Sequence, residues 1–241
     1  MNKIIMCEGE TDAILLSYYL NKVANWKFCK KAPKNVEIKA NSFEQSINWY
    51  EKGDEHLLIC GVGGKDNMTS FFKNKLYRPI VDAGAFSKIA VVLDRDNKEL
   101  DSLEAHASSI FKPVVTIMKN NTWTTNEYKD AFGLKQVIES LLVIIPNEHE
   151  GALETVILDA ISENPYDSII VDKTAAFVKE MREIASKYIN NDRKELKARL
   201  GVTWAVQYPE KVFKLINEQI VSVPWENSRV LSDCFGELIR I

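Results

Sequence analysis

The run Lys88-Ile89-Ala90-Val91-Val92-Leu93-Asp94-Arg95-Asp96 decides the fold. Its apolar stretch does not alternate with polar residues, which is typical of a strand buried on both faces. Such strands occur in parallel sheets that carry helices on both sides. The run therefore predicts a central strand of an α/β protein, with two carboxylates at its carboxyl end.

The segments on either side of this run alternate between strand and helix patterns. Strands are predicted at residues 3–7, 57–60, 113–118 and 136–145, and helices at 11–20, 42–52, 67–83 and 102–111. The 42–52 helix is predicted because Ser42-Phe43-Glu44-Gln45 has the form of a capping box. The alternation indicates βαβ crossovers and a mostly parallel, Rossmann-like sheet.

The pattern changes after residue 145. A helix is predicted to begin within 151–158, and further helical segments at 173–188, 192–200, 209–218 and 227–239. We therefore predict an α/β core over residues 1–145. Residues 146–241 are predicted to form a mainly helical part that packs on the core.

Composition excludes several classes of protein. The longest apolar run, 141–145, is far too short to cross a bilayer, and the first eight residues lack the apolar segment of a signal peptide. We expect a soluble, cytoplasmic protein with no membrane partner. The four cysteines contain no CxxC pair, which favours reduced thiols over disulfides or a zinc site.

The net charge of −3 counts weakly against nucleic-acid binding, because it lacks an overall basic footprint. An acid-rich site lowers this total, while local basic surfaces can still contact phosphates. Charge alone leaves this class of partner open.

Acidic side chains follow two of the predicted strands. Glu8 ends the first strand, Asp12 lies in the first turn of the next helix, and Asp94 and Asp96 end the central strand. Ligands of parallel sheets bind at this carboxyl edge. Two carboxylates 4 Å apart repel by about 4 kcal/mol at an effective dielectric near 20, which a divalent cation would offset. Hard oxygen ligands favour Mg²⁺ or Mn²⁺ over Zn²⁺.

These motifs resemble the TOPRIM domain of topoisomerases, bacterial primases and nucleases of the OLD (overcoming lysogenization defect) family. The resemblance rests on Cys7-Glu8-Gly9-Glu10-Thr11-Asp12, the glycine turn after Cys60 and Leu93-Asp94-Arg95-Asp96. It covers roughly residues 1 to 120. It implies a TOPRIM-like fold and a metal-dependent reaction at phosphodiester bonds of nucleic acid.

A later motif points to the OLD branch. Glu150-Gly151-Ala152-Leu153-Glu154 resembles its Gly-x-Leu-Glu element. The resemblance implies that Glu8, Asp94 and Asp96 hold one metal while Asp12 and Glu154 help hold a second. It also implies a catalytic lysine, for which Lys197 and Lys194 are candidates. Glu8, Asp94 and Lys197 are the predicted catalytic residues.

Other parts of TOPRIM enzymes are absent from the sequence. It has no primase zinc motif, is too short for a topoisomerase, and its Gly61-to-Asp66 run lacks the spacing of an ATPase phosphate loop. In length it is similar to small stand-alone TOPRIM proteins of uncharacterised function. The implied partners are a nucleic acid, DNA rather than RNA, and an ATPase on a separate chain.

Several alternatives remain open at the level of sequence. Asp12 could serve only as a helix cap, the Asp94-to-Asp96 motif as a solvated turn, and Glu154 as part of a solvated helix start. A haloacid-dehalogenase-type phosphatase fits poorly, because Lys98 occupies a Thr or Val position of its motif. A nucleotide-sugar transferase leaves Glu8 unexplained. The main alternative is a TOPRIM-like protein that binds metal, nucleotide or a partner without catalysis.

Overall fold

A computed structural model describes residues 2–34, 36–40, 42, 44–211, 218, 220–221 and 223–241. Within these residues seven strands form one mixed sheet, in the order β2-β3-β4-β1-β5-β7-β6. The strands are β1 Asn2–Cys7, β2 Lys27–Cys29, β3 Ser46–Lys52, β4 Glu55–Gly61, β5 Phe86–Asp94, β6 Thr124–Lys129 and β7 Lys135–Ile145.

The four central strands β4, β1, β5 and β7 are parallel, and each edge adds antiparallel strands. In the register Met6 lies between Cys60 and Val91. The central strands are almost wholly apolar because helices cover both faces of the sheet. The prediction of a mostly parallel α/β sheet flanked by helices is therefore confirmed.

Helices connect the strands and dominate the chain after β7. They are α1 Glu10–Ala24, α2 Met68–Phe71, α3 Tyr77–Val81, α4 Leu100–Ile110, α5 Leu153–Ser162, α6 Pro165–Ile184, α7 Asp192–Gln207 and α8 Arg229–Phe235. Short 3₁₀ turns occupy Lys65–Asn67, Pro209–Lys211, Trp225–Asn227 and Gly236–Arg240, and a π-helical turn at Phe72–Leu76 joins α2 to α3.

Each face of the sheet has its own hydrophobic core. Ile5 and Cys7 of β1 pack with apolar residues of α1, α5, α7 and α8, whereas Ile4 and Met6 pack with α2, α3 and α4. The alternation follows from the two-residue period of a strand. The helices predicted after residue 145 thus cover the same sheet face as α1. The division at residue 145 stays a prediction. Among the described residues no helix is long and apolar enough to cross a membrane.

Two predicted elements were wrong. The 42–52 helix is incorrect, because residues 46–52 form β3 and pair with β4 across a turn at Gly53, whose φ is +60°. Cross-strand pairing overrides the capping pattern here. The 113–118 strand is also incorrect: the buried Asn126 side chain, not a neighbouring strand, accepts the Thr116 and Ile117 N–H groups.

Other differences are smaller. The strands β2 and β6 were not predicted, since three residues and a polar alternating run give weak patterns. The predicted 67–83 helix is interrupted by the π-helical turn. Of the predicted 209–218 helix, residues 212–217 lie outside the described residues.

Candidate metal centre

Glu8 and Asp94 meet where the neighbouring parallel strands β1 and β5 end. Glu8 directly follows β1, and Asp94 is the last residue of β5. The backbone N–H of Asp94 donates a hydrogen bond to Glu8 Oε1 at 3.1 Å. Both side chains are buried, with 3% of each residue exposed. The register of the parallel strands thus places two carboxyl groups side by side, as the sequence predicts.

Asp12 is buried at the start of α1 beside Glu8. Its Oδ2 accepts the Gly9 N–H at 2.8 Å, so it also caps the helix. The end of β4 approaches this turn closely, since a Cβ on Gly61 would lie 2.5 Å from the Gly9 carbonyl oxygen. Burial and, to a smaller extent, the Glu8 charge raise the pKa of Asp12 to about 7 against the opposing effect of the Gly9 hydrogen bond. Capping and membership of the acid cluster therefore occur together.

Asp96 lies at the rim of this cluster. It has a left-handed φ of +53°, so the extended conformation of β5 does not continue through it. Its backbone forms an antiparallel bridge with Gly151, with N···O distances of 2.7 and 3.0 Å. One third of its side chain is exposed. The bridge fixes the end of β5 next to the start of α5.

The bridge brings Glu154 and the amino terminus of α5 to the cluster. The Leu153 N–H donates to Asp94 Oδ1 at 3.0 Å. Thr155 Oγ1 accepts the Ala152 N–H at 3.1 Å and closes the first turn of the helix. Glu154 is mostly buried and lines the same pocket as Glu8, Asp12 and Asp94. The structure therefore brings together the side chains assigned to both proposed metals.

Two cations at the site were not predicted. Lys65 Nζ lies 3.1 Å from the Asp94 carbonyl oxygen, 3.9 Å from Glu8 Oε1 and 3.5 Å from Asp96 Oδ2. Arg193 Nη2 lies 3.3 Å from Asp94 Oδ2 and 3.7 Å from Glu8 Oε2. These contacts partly neutralise the carboxyl groups.

Sequence signals for both cations exist. Lys65 follows the glycine turn after β4, the strand beside β1, so it must lie near the same edge. Arg193 lies four residues before Lys197, and residues at that spacing share a helix face. Lys197 lines the pocket with Nζ 4.0 Å from Glu154 Oε1, whereas the exposed Lys194 does not line it. Of the two predicted lysine candidates, Lys197 is therefore the one that lines the pocket.

The acids and cations enclose a pocket of about 170 Å³. Five carboxyl groups surround it or its rim against three cations: Glu8, Asp12, Asp94, Asp96 and Glu154 against Lys65, Arg193 and Lys197. Burial raises the pKa of both Glu8 and Asp94, and for Asp94 the neighbouring Asp12 charge adds to the effect. The excess of negative charge favours a proton or an additional cation.

The donor set suits a hard divalent cation, because every acidic ligand offers oxygen. Among the described residues no group of three or more His, Cys, Asp or Glu side chains is arranged to hold a metal as it stands. The contacts of Arg193 and Lys65 give a physical reason, since these cations occupy the carboxylate oxygens. The donor chemistry fits Mg²⁺ or Mn²⁺, provided that Arg193 moves.

A second cavity of about 400 Å³ adjoins the pocket and shares Arg193 with it. Its walls come from the end of β5, the start of α5 and the first turns of α7. Asp96, Gly151, Arg193 and Arg199 are among its lining residues. A substrate that reaches the acids could therefore extend along α7.

Comparisons with known proteins identify a family and a fold. The family model described as "Protein of unknown function (DUF3226)" matches residues 2–222. No curated protein matches the chain significantly. A crystal structure of hypothetical protein PH0156 from Pyrococcus horikoshii OT3 is similar, with a TM-score of 0.50 and 14% identity over 98% of this chain and 99% of that one. At this identity the likeness supports the fold alone.

Proposed function

The chain belongs to the DUF3226 family, and we propose that it is a Mg²⁺- or Mn²⁺-dependent phosphodiesterase acting on nucleic acid. One observation carries the proposal. Glu8 after β1, Asp94 from β5 and Glu154 from α5 line one largely buried pocket in which acids outnumber cations. Gathering such charges destabilises the fold unless they bind something positive.

We also propose that the core is a TOPRIM domain of the OLD-like branch. The order of the parallel strands supports this, because β1 and β5 are neighbours and their acids meet at one edge. The backbone bridge between Asp96 and Gly151 holds the Gly-x-Leu-Glu element beside the Asp-x-Asp motif, and this proximity also supports the proposal.

The proposed chemistry is hydrolysis: water adds to phosphorus, one P–O ester bond breaks, and the leaving oxygen takes up a proton. Glu8, Asp94 and Asp96 would hold one metal ion, and Asp12 and Glu154 would help to hold another. Bound metal would acidify the attacking water and offset charge on the leaving oxygen.

The residues of α7 would bind the phosphate. Arg193 and Lys197 share one helix face and both line the pocket. If Arg193 pairs with a substrate phosphate, it releases the oxygens of Glu8 and Asp94 that it now contacts. Arginine suits this role because its planar donors match phosphate oxygens. Lys197 would offset charge on the non-bridging oxygens of the transition state.

The proposed substrate is DNA rather than RNA, and any ATPase partner would be a separate chain. The cavity that adjoins the pocket gives a longer substrate room to extend, and Arg193 and Arg199 line it together with the acids Asp96, Glu150, Asp192 and Glu195.

The test is cleavage of supercoiled plasmid and of RNA with Mg²⁺ or Mn²⁺, beside Glu8→Gln and Asp94→Asn. The matched control is Glu51→Gln, because Glu51 is exposed and pairs in register with His56 at the opposite end of the strands. We expect metal-dependent cleavage by the wild type and the control only. Cleavage that persists in both site variants would remove this pocket from the mechanism.

A second candidate is binding of metal, nucleotide or a partner without catalysis. The observation in its favour is that Arg193 and Lys65 already contact Glu8 and Asp94. Because basic side chains already contact these carboxyl groups, a metal ion could replace them in the pocket without any reaction being catalysed. Metal binding without cleavage of plasmid or RNA, with or without an added ATPase partner, would favour this candidate.

A further inference from the structure

Helix α6 carries apolar side chains on its solvent face. Tyr166, Ile169, Phe177 and Ile184 are 76, 59, 48 and 72% exposed. At 3.6 residues per turn, these four fall in a single narrow arc of the helix surface. The opposite side of α6 is already used, because Val171, Thr174 and Val178 are buried. The helix therefore has an exposed stripe suited to a further contact.

Two opposite charges lie within this stripe. Lys173 and Glu180 are exposed and fall in the same arc as the apolar residues, on either side of Ala176 and Phe177. In the described part of the chain neither forms a salt bridge. Their seven-residue separation places them two turns apart, beyond the i to i+4 spacing of helix ion pairs.

The stripe is self-complementary in the antiparallel direction. If two copies of α6 pair about a two-fold axis between residues 176 and 177, Ile169 lies opposite Ile184 of the second copy. In the same register Lys173 lies opposite Glu180, and each dimer contains this pair twice. Closed two-fold interfaces require such self-matching of one patch.

We propose that the exposed stripe of α6 is a homodimer interface whose occupant is a second copy of this chain. Charge complementarity selects this occupant, because one register pairs Ile169 with Ile184 and both charges at once. The face is also preformed. Thr174 and Thr203 share a buried hydrogen bond of 2.8 Å, and Arg182 Nη1 lies 2.7 Å from Asp192 Oδ1, so α6 is held against α7.

The size of the stripe sets the expected strength. A helix of 20 residues is about 30 Å long, and one face of it buries less than the roughly 800 Å² per partner of a standard stable interface. We therefore expect a reversible dimer with a micromolar or weaker dissociation constant. The inference does not depend on the proposed function, because it concerns another face of the molecule.

Sedimentation velocity over a wide micromolar range tests the proposal. We expect the protein to shift from monomer to dimer as its concentration rises. Lys173→Glu and Glu180→Lys should each weaken the dimer about tenfold or more, because both place like charges opposite each other twice. The double variant, and an equimolar mixture of the two single variants, should restore the dimer.

The control is Lys179→Glu, the same charge reversal at an exposed position outside the stripe. It should leave the dimer unchanged, and unfolding midpoints of all variants should match the wild type. A protein that stays monomeric throughout, or a dimer that ignores both single reversals, would overturn the proposal. Dimer restoration in the mixture is specific to two copies, so a site for another protein cannot produce it.

Discussion

The amino and carboxyl ends of the central strands differ in how fully their acidic side chains are neutralised by basic ones. At the amino end Lys3 of β1 lies 2.7 Å from Glu55 Oε1 and donates to the Ile241 carbonyl oxygen. Lys88 of β5 lies 3.4 Å from Glu139 Oε2 and over the ring of Trp123. Each of these cations has one acidic partner. At the carboxyl end, five acids share three cations within or beside one pocket.

This difference separates a stabilising arrangement from a binding arrangement. Pairs of one acid and one base are neutral and need no further ligand. A buried cluster with excess negative charge costs stability, and such clusters are typical of sites that bind cations or transfer protons. The same two strands thus combine a neutral end with an end that favours an added cation.

The largest expected contrast is in activity. Asp94→Asn should lower metal-dependent phosphodiester cleavage by about 100-fold or more, because it removes a buried ligand charge. Glu55→Gln, an equivalent change at the other end, should leave the rate unchanged. Rates measured on plasmid at saturating Mn²⁺ check this. Equal losses in the two variants would mean that the ends do not differ in function.

Arg193 should oppose metal and assist substrate. Arg193→Gln should tighten Mn²⁺ binding several-fold, because a guanidinium 3.3 Å from Asp94 no longer competes. It should lower the cleavage rate about tenfold, since one charge-assisted phosphate contact is lost. Calorimetric titration and single-turnover kinetics separate the two effects. The neighbouring Lys194→Gln is the control, and a weaker metal affinity in Arg193→Gln would contradict this role.

Removing a charge at the crowded end should stabilise the metal-free protein. The pKa of Asp12 is raised to about 7, so the folded state binds a proton more tightly than the unfolded state does. Stability in the wild type therefore falls as pH rises from about 4 to 7. Asp12→Asn should avoid this loss and be more stable than the wild type by up to roughly 4 kcal/mol above pH 7, because each pKa unit corresponds to about 1.4 kcal/mol.

Denaturant unfolding in EDTA at several pH values measures this gain. The difference between Asp12→Asn and wild type should grow up to about pH 7 and then level off. A variant that is equally destabilised at every pH would show that the cap, and not the charge, dominates at this position.

The smallest expected effect is at the amino end. The hydrogen bond from Lys3 lowers the pKa of Glu55, so its stabilisation is present at neutral pH and is lost on acidification. Glu55→Gln should cost under about 1 kcal/mol, because the Glu55 side chain is nearly half exposed. Thermal melts at pH 7 and pH 3 check this. A loss that persists at pH 3 would exclude the charge as its source.

The central strands and the acid pair were predictable because local pattern and tertiary role agree there. The apolar run before Asp94 specifies a buried strand, and Glu8 follows another. Parallel pairing then places both acids at one edge. The position of Glu154 could not be predicted from the strand pattern alone. It depends on the backbone bridge between Asp96 and Gly151, which forms at a turn with a positive φ.

The errors arise where tertiary contacts override local pattern. Residues 46–52 begin after a capping motif, but hydrogen bonding to β4 makes them a strand. Residues 113–118 are apolar, yet Asn126 satisfies their backbone from ten residues away. Lys65 and Arg193 were not predicted, because their sequence positions indicate only that they lie near the site, and a basic residue has no fixed spacing from the acids that it neutralises.

The most direct test of the acid pocket as a metal centre is anomalous X-ray diffraction from crystals soaked in Mn²⁺. We expect a peak within about 2.3 Å of carboxylate oxygens of Glu8 and Asp94, with Arg193 displaced from Asp94. The peak should disappear in Asp94→Asn crystals. Well-ordered density with no peak in the pocket at saturating Mn²⁺, and Arg193 still paired with Asp94, would contradict the assignment.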